Sequence, residues 1–126
     1  MTVLTQPPSM GDVLKYELNP NYSREVVTLL AGAAYPVGAV LGQITASGKY
    51  TISPATGSDG AETAAAVLLY ATDAAAADAT GIVLARGPAI VSRAGLVFDA
   101  SVDDATKTAA KIGQLADAGI VARDGA

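Results

Sequence analysis

The stretch "GQITASGKY" at positions 42–50 sets a glycine ahead of a Gly-Lys pair, the residue types with which a phosphate-binding loop cradles a nucleotide. That chemistry requires four residues between the first glycine and the pair, and then a Ser or Thr whose hydroxyl reaches magnesium. Here five residues separate Gly42 from Gly48, and Tyr50 follows Lys49. The spacing therefore describes a turn between strands, not a phosphate cradle.

The remaining chemistry is sparse. The chain has no histidine and no cysteine, which removes the commonest general base, the usual zinc and redox ligands, and every Ser-His or Cys-His pair. Asp103-Asp104 stand where a helix begins, so capping accounts for them better than catalysis. "GSDGAE" (57–62) lacks the alternating acidic ligands and the distant Glu of a calcium loop and reads as a turn. Arg86 and Arg93 lie on strands or at their ends, where an Arg either pairs with a carboxylate across a subunit boundary or stands solvated. Tyr35, Tyr50 and Tyr70 have no interleaved basic residues and read as core or interface fillers rather than a base-stacking platform. No catalytic, cofactor or metal site is expected, and the chain is not read as an enzyme.

Eight basic against twelve acidic residues give a net charge of −4, with no Lys/Arg cluster to release counterions from nucleic acid. Nucleic acid is thus excluded as an expected partner. The N-terminus lacks a basic stretch followed by an apolar one, and no apolar run approaches the roughly 20 residues that span a bilayer, so neither export by that route nor a membrane partner is expected. The absence of cysteine fits a reducing compartment.

The elements around these residues follow from pattern. "EVVTLLAG" (25–32), "YPVGAVLGQIT" (35–45), "KYTIS" (49–53), "AAAVLLYA" (64–71), "GIVLARGPAIV" (81–91) and "AGLVF" (94–98) are short, rich in Val, Leu and Ile, and bounded by turn residues. They predict a β-rich domain, with Pro36 and Pro88 at strand edges or bulges. "DAAAADATG" (73–81) reads as a loop with room for a short helix. "SVDDATKTAAKIGQLADAG" (101–119) predicts the main helix, capped by Ser101 or Asp103 and ended by Gly119. Its expected inner face is Ala105, Ala109, Ile112, Leu115 and Ala116, with Lys107, Lys111 and Gln114 pointing away. Ile120-Val121 predict a terminal strand. The fold class is accordingly α+β and β-rich: a small mixed β domain over 25–126, with one main helix in its C-terminal half and an extended N-terminal arm over 1–24.

Hydrophobic residues make up 51% of the chain, but much of that is alanine, with five Tyr, one Phe and no Trp. So small-residued a core favours burial of further surface by assembly of copies. The arm is interrupted by Pro7-Pro8, Gly11 and Asn19-Pro20, yet carries Val3, Leu4, Val13, Leu14, Tyr16, Leu18 and Tyr22. In "VLKYELN" the residues Leu14, Tyr16 and Leu18 alternate with Lys15 and Glu17, the period of a strand with one apolar face. Such a strand either adds to the sheet edge of a partner or pairs with its own domain.

The order "SREVVTLLAG", "YPVGAVLGQIT", "GKYTISPATGSDGAE", "AAVLLY", "DATGIVLARGPAIV", "LVF" and a late Lys- and Ala-containing helix resembles the bacteriophage lambda-type head decoration protein family, from about Ser23 to Val121. The resemblance implies a capsid decoration, or cement, protein that forms homotrimers. It implies binding to the major capsid protein on the outer surface of the expanded head, at threefold and quasi-threefold positions, which stabilises the shell against packaged DNA. A virion protein of this kind is made in the host cytoplasm. On this reading Leu14, Tyr16, Leu18, Tyr22 and Val26 are the capsid-binding residues of the arm. The alternative is a small β-rich ligand-binding or adhesin-like module that uses the 54–64 loop; a trimer mass favours decoration, and a monomer favours the module.

Overall fold

The central strands read as unbroken apolar runs because both of their faces are covered. In Val40-Leu41, Val67-Leu68 and Val83-Leu84, one residue of each pair joins one hydrophobic cluster and its neighbour joins another. Opposite faces of one strand thus serve two cores, as the two-residue period of a strand dictates.

The computed structural model describes residues 9–124. Two single-turn helices, α1 (Met10–Val13) and α2 (Pro20–Ser23), flank strand β1 (Leu14–Glu17). Then follow β2 (Arg24–Leu29), β3 (Ala33–Tyr35), β4 (Val40–Gln43), β5 (Tyr50–Ile52), β6 (Ala66–Leu68), β7 (Thr72–Ala74), β8 (Ala79–Leu84) and β9 (Ala89–Ser92). Helix α3 (Ala105–Asp117) and β10 (Ile120–Arg123) complete the described chain. Strands β2-β5-β4-β6-β8 close a small barrel, β1-β9-β10 form a three-stranded sheet, and β3 pairs with β7.

Inside the barrel lie Leu29, Tyr35, Leu41, Leu68 and Val83, while Val13, Val67, Leu84, Val91, Leu115 and Ile120 belong to the second core. The β-rich α+β class and its one main helix are as the sequence predicts. The turn reading of "GQITASGKY" also holds. Gly48 takes a positive φ of 75°, its N–H donates to the Ile44 carbonyl, and the Ile44 N–H donates to the Lys49 carbonyl. Gly42 serves packing rather than phosphate, since a Cβ there would stand 2.0 Å from the Ala61 carbonyl oxygen.

Several expectations change. "AGLVF" is no strand: Arg93–Gly95 form a 3-10 turn, and Val97 contributes only an isolated bridge to Ala39. "DAAAADATG" holds no helix, because its ends are drawn into β7 and β8 by their partners β3 and β2. Asp104, not Ser101 or Asp103, caps α3 by accepting the Lys107 N–H, while Asp103 pairs with the Lys107 ammonium at 2.8 Å.

The inner face of α3 is also rotated from the expected one. Lys111 and Leu115 are buried and Gln114 is half-buried, whereas Ala105, Ala109 and Ala116 are exposed. The Lys111 stem is apolar, and its ammonium meets the Ser53 hydroxyl at 2.8 Å and the Pro54 and Glu62 carbonyls. Gln114 accepts the Ala64 N–H at 2.7 Å. Polar ends that satisfy otherwise unpaired backbone groups outweigh the apolar count of the alanine face.

Candidate functional site

The alternating segment 14–18 takes the second of its two options. β1 lies antiparallel on β9, with Leu14 opposite Val91, Tyr16 opposite Ile90 and Glu17 opposite Ala89. A register shift between Leu14 and Tyr16 breaks the simple alternation. Leu14 therefore turns towards the second core, and Tyr16 turns outwards. Val13, completely buried, anchors the segment from its upstream side.

Of the five residues expected to bind a partner, Leu14 is half-buried, whereas Tyr16, Leu18, Tyr22 and Val26 are 49, 60, 56 and 68% exposed. Large apolar groups left in water add nothing to stability, so four of them along eleven residues of chain mark a surface of interest. Their backbone is firmly held. The Leu18 N–H donates to the Pro88 carbonyl, and Asn19 caps α2 by accepting the Asn21 N–H.

Two guanidinium groups fasten this surface. Arg24 grips Glu17 with both Nε and Nη2, tying β1 to β2 across the intervening turn. The Glu17 hydrogen bond raises the Arg24 pKa, outweighing the opposing effect of burial. Arg86 donates to the Tyr22 carbonyl, pairs with Glu25 at 2.6 Å and stacks over the Tyr22 ring at 5.4 Å. It is therefore not simply solvated. Arg93 approaches Asp124 at 3.9 Å in exposed surroundings.

The sequence reading missed neighbours of these residues. Ile82, also exposed, lies directly opposite Val26 on β8, and exposed Val121 shares with Tyr16 the partner Ile90. Both sit at outward positions of strands that also carry core residues, Val83 and Leu84 on β8 and Ile120 on β10, a signal that pairing register alone makes visible. Tyr35 is buried in the barrel, Tyr50 is half-buried and packs against the same core, and Tyr70 is exposed. Burial pushes the Tyr50 hydroxyl up from its ordinary pKa.

A model of the family described as bacteriophage lambda head decoration protein D matches residues 3–120. The chain belongs to that family. No curated protein matches it. Membership in the head decoration family makes this a structural phage capsid component with a decorating role, in a family that is not one of enzymes.

In the 57–62 turn the carboxylates bind their own backbone: Asp59 accepts the Ala61 N–H and Glu62 the Gly60 N–H. Among the described residues no three of His, Cys, Asp or Glu gather as a metal site would require, and no helix is long and apolar enough to cross a membrane. Residues 1–8, the leading part of the expected arm with Val3 and Leu4, lie outside the described residues.

Proposed function

We propose that this decoration protein binds as a homotrimer to the outer surface of the expanded phage head, at its threefold and quasi-threefold positions. There it contacts the major capsid protein and stabilises the shell against the pressure of packaged DNA. The chain is made in the host cytoplasm and acts on the finished virion.

The observation that carries this reading is the outward set Tyr16, Leu18, Tyr22 and Val26 on a backbone held by the Arg24–Glu17 and Arg86–Glu25 pairs. Aromatic and aliphatic groups fixed in place lose little conformational entropy on binding, which favours them as interface anchors. Leu14 supports the set from below by packing on the second core. Residues 1–24 act as the attachment region: the part upstream of Ser9 extends the contact, and β1 with α2 forms its fixed base. Three copies in one assembly raise the effective concentration of the second and third contacts, so avidity exceeds single-site affinity by roughly a hundredfold.

Adding the purified protein to expanded heads that lack decoration tests this reading. Deleting residues 1–24 would be a poor test, since it also removes completely buried Val13 and the strand β1. The informative variants are deletion of residues 1–8 and the double substitution Tyr16→Ser with Leu18→Ser. Wild-type protein is expected to saturate the heads as three-lobed protrusions under electron microscopy, and each variant to bind at least tenfold more weakly. Undiminished binding by both variants would remove this surface from the contact.

A further inference from the structure

Strand β2 is fully paired on one side only. It runs antiparallel to β8 along all six of its residues, from Arg24 opposite Leu84 to Leu29 opposite Ala79. Its other neighbour, β5, meets it at a single pair, Leu29 with Tyr50. The barrel therefore closes at one end of β2 and gapes along the rest.

Backbone parity shows which groups face the gap. The Ser23 carbonyl accepts from Ala85 on the β8 side, whereas the Leu30 N–H donates to Tyr50 on the β5 side. Main-chain groups of residues 25, 27 and 29 thus face β8, and those of 24, 26 and 28 face away from it. The Arg24 N–H is taken by the Pro20 carbonyl. Among the described residues, the Arg24 carbonyl, both main-chain groups of Val26 and the Thr28 N–H have no strand beside them.

This edge forms one wall of a groove of about 680 Å³, whose lining includes Glu25, Val26, Gln43, Tyr50, Ala65 and Asp117. The remaining walls come from the β4–β5 turn, the segment before β6 and the end of α3. The segment before β6 contributes the small side chains of Ala64 and Ala65 to this lining. In charge, the lining holds the two carboxylates Glu25 and Asp117 against one guanidinium, Arg86, which already serves Glu25. Asp117 has no ion-pair partner among the described residues.

We infer that the groove takes up an extended segment of the capsid protein, added as a strand to the free edge of β2 and carrying a basic side chain that meets Asp117. Main-chain hydrogen bonds hold such a strand, and the flanking pockets choose its side chains. An unpaired edge is ordinarily a hazard that proteins cover or blunt with charge. In β2 the edge instead lines a groove. The inference rests on the decoration reading for the identity of the partner.

The test uses the full chain and undecorated expanded heads. Hydrogen–deuterium exchange of residues 24–28 is followed with and without heads, alongside the variants Val26→Pro and Asp117→Arg. Proline at 26 removes an N–H that points into the groove and not towards β8, so the β2–β8 ladder keeps its bonds. Thermal melting checks that both variants fold, and Asp117→Arg leaves the backbone edge intact should the proline variant fail. Expected are at least tenfold slower exchange of the Val26 and Thr28 amides on heads, and at least tenfold weaker binding by each variant. If wild-type protein decorates heads while exchange at 24–28 stays as in the free chain, the strand inference is overturned and the decoration reading survives. Slowing that appears on concentrating the protein without heads would place a second copy in the groove and overturn the capsid assignment. If the wild type fails to bind heads at all, the decoration reading falls, and this partner falls with it.

Discussion

At the scale of single residues, Lys111 has the clearest energetic role. It is 2% exposed, yet its ammonium has three oxygen partners, and the Ser53 hydroxyl it touches donates onwards to the Ala61 carbonyl at 2.7 Å. Burial pulls its pKa below the ordinary lysine value, against the pull of Glu62 and Asp99, while the three acceptors favour the charged form. Lys111→Met keeps the apolar stem but leaves two carbonyls unsatisfied, so urea denaturation should show a loss of about 2 kcal/mol. Gly42 illustrates the opposite constraint, the absence of a side chain. Its Cβ would collide with backbone at Ala61, which cannot swing aside. Gly42→Ala is expected to lower stability by about 1–3 kcal/mol in the same assay, with no change in any nucleotide-binding measurement.

Between elements, the weak seams are joined by side chains. Asp78, at the mouth of β8, pairs with Lys49 at 2.6 Å and accepts the Ala31 N–H at 2.8 Å, linking the β4–β5 turn to the β2–β3 connection. The Lys49 hydrogen bond, with help from Ala31, holds the Asp78 carboxyl below its ordinary pKa. A carboxyl depressed on folding contributes stability above its unfolded pKa, near 3.9, and loses it as pH falls through the lower folded value. Thermal melts should therefore show that Asp78→Asn is less stable than wild type at pH 6, with the difference shrinking below about pH 4. A gap that stayed constant down to pH 2.5 would mean the ion pair contributes nothing. Helix α3 joins the barrel by the same device, its Lys111 and Gln114 reaching loop carbonyls and an amide that strand pairing leaves unused.

For the whole molecule, two small cores of Ala, Val and Leu share the barrel wall, and several large apolar groups remain outside. That distribution favours further burial between copies and against a shell. Sedimentation equilibrium of the free protein should give three times the 12.5 kDa chain mass, with dissociation on dilution. A strict monomer at every concentration would instead require that the three copies meet first on the capsid.

Local chemistry settled much of this in the sequence itself. Apolar runs bounded by Gly, Pro and Asp marked most strands, Gly119 with its positive φ of 84° ended the helix, and the failed spacing around Gly42 and Gly48 ruled out a phosphate loop. Those features depend on a residue and its near neighbours. Tertiary structure alone decided that β1 lies on β9, that Lys111 turns inwards, and that β2 keeps an open edge beside β5. Each of these depends on which distant backbone groups lack partners, and that sum is settled only when the strands are in place.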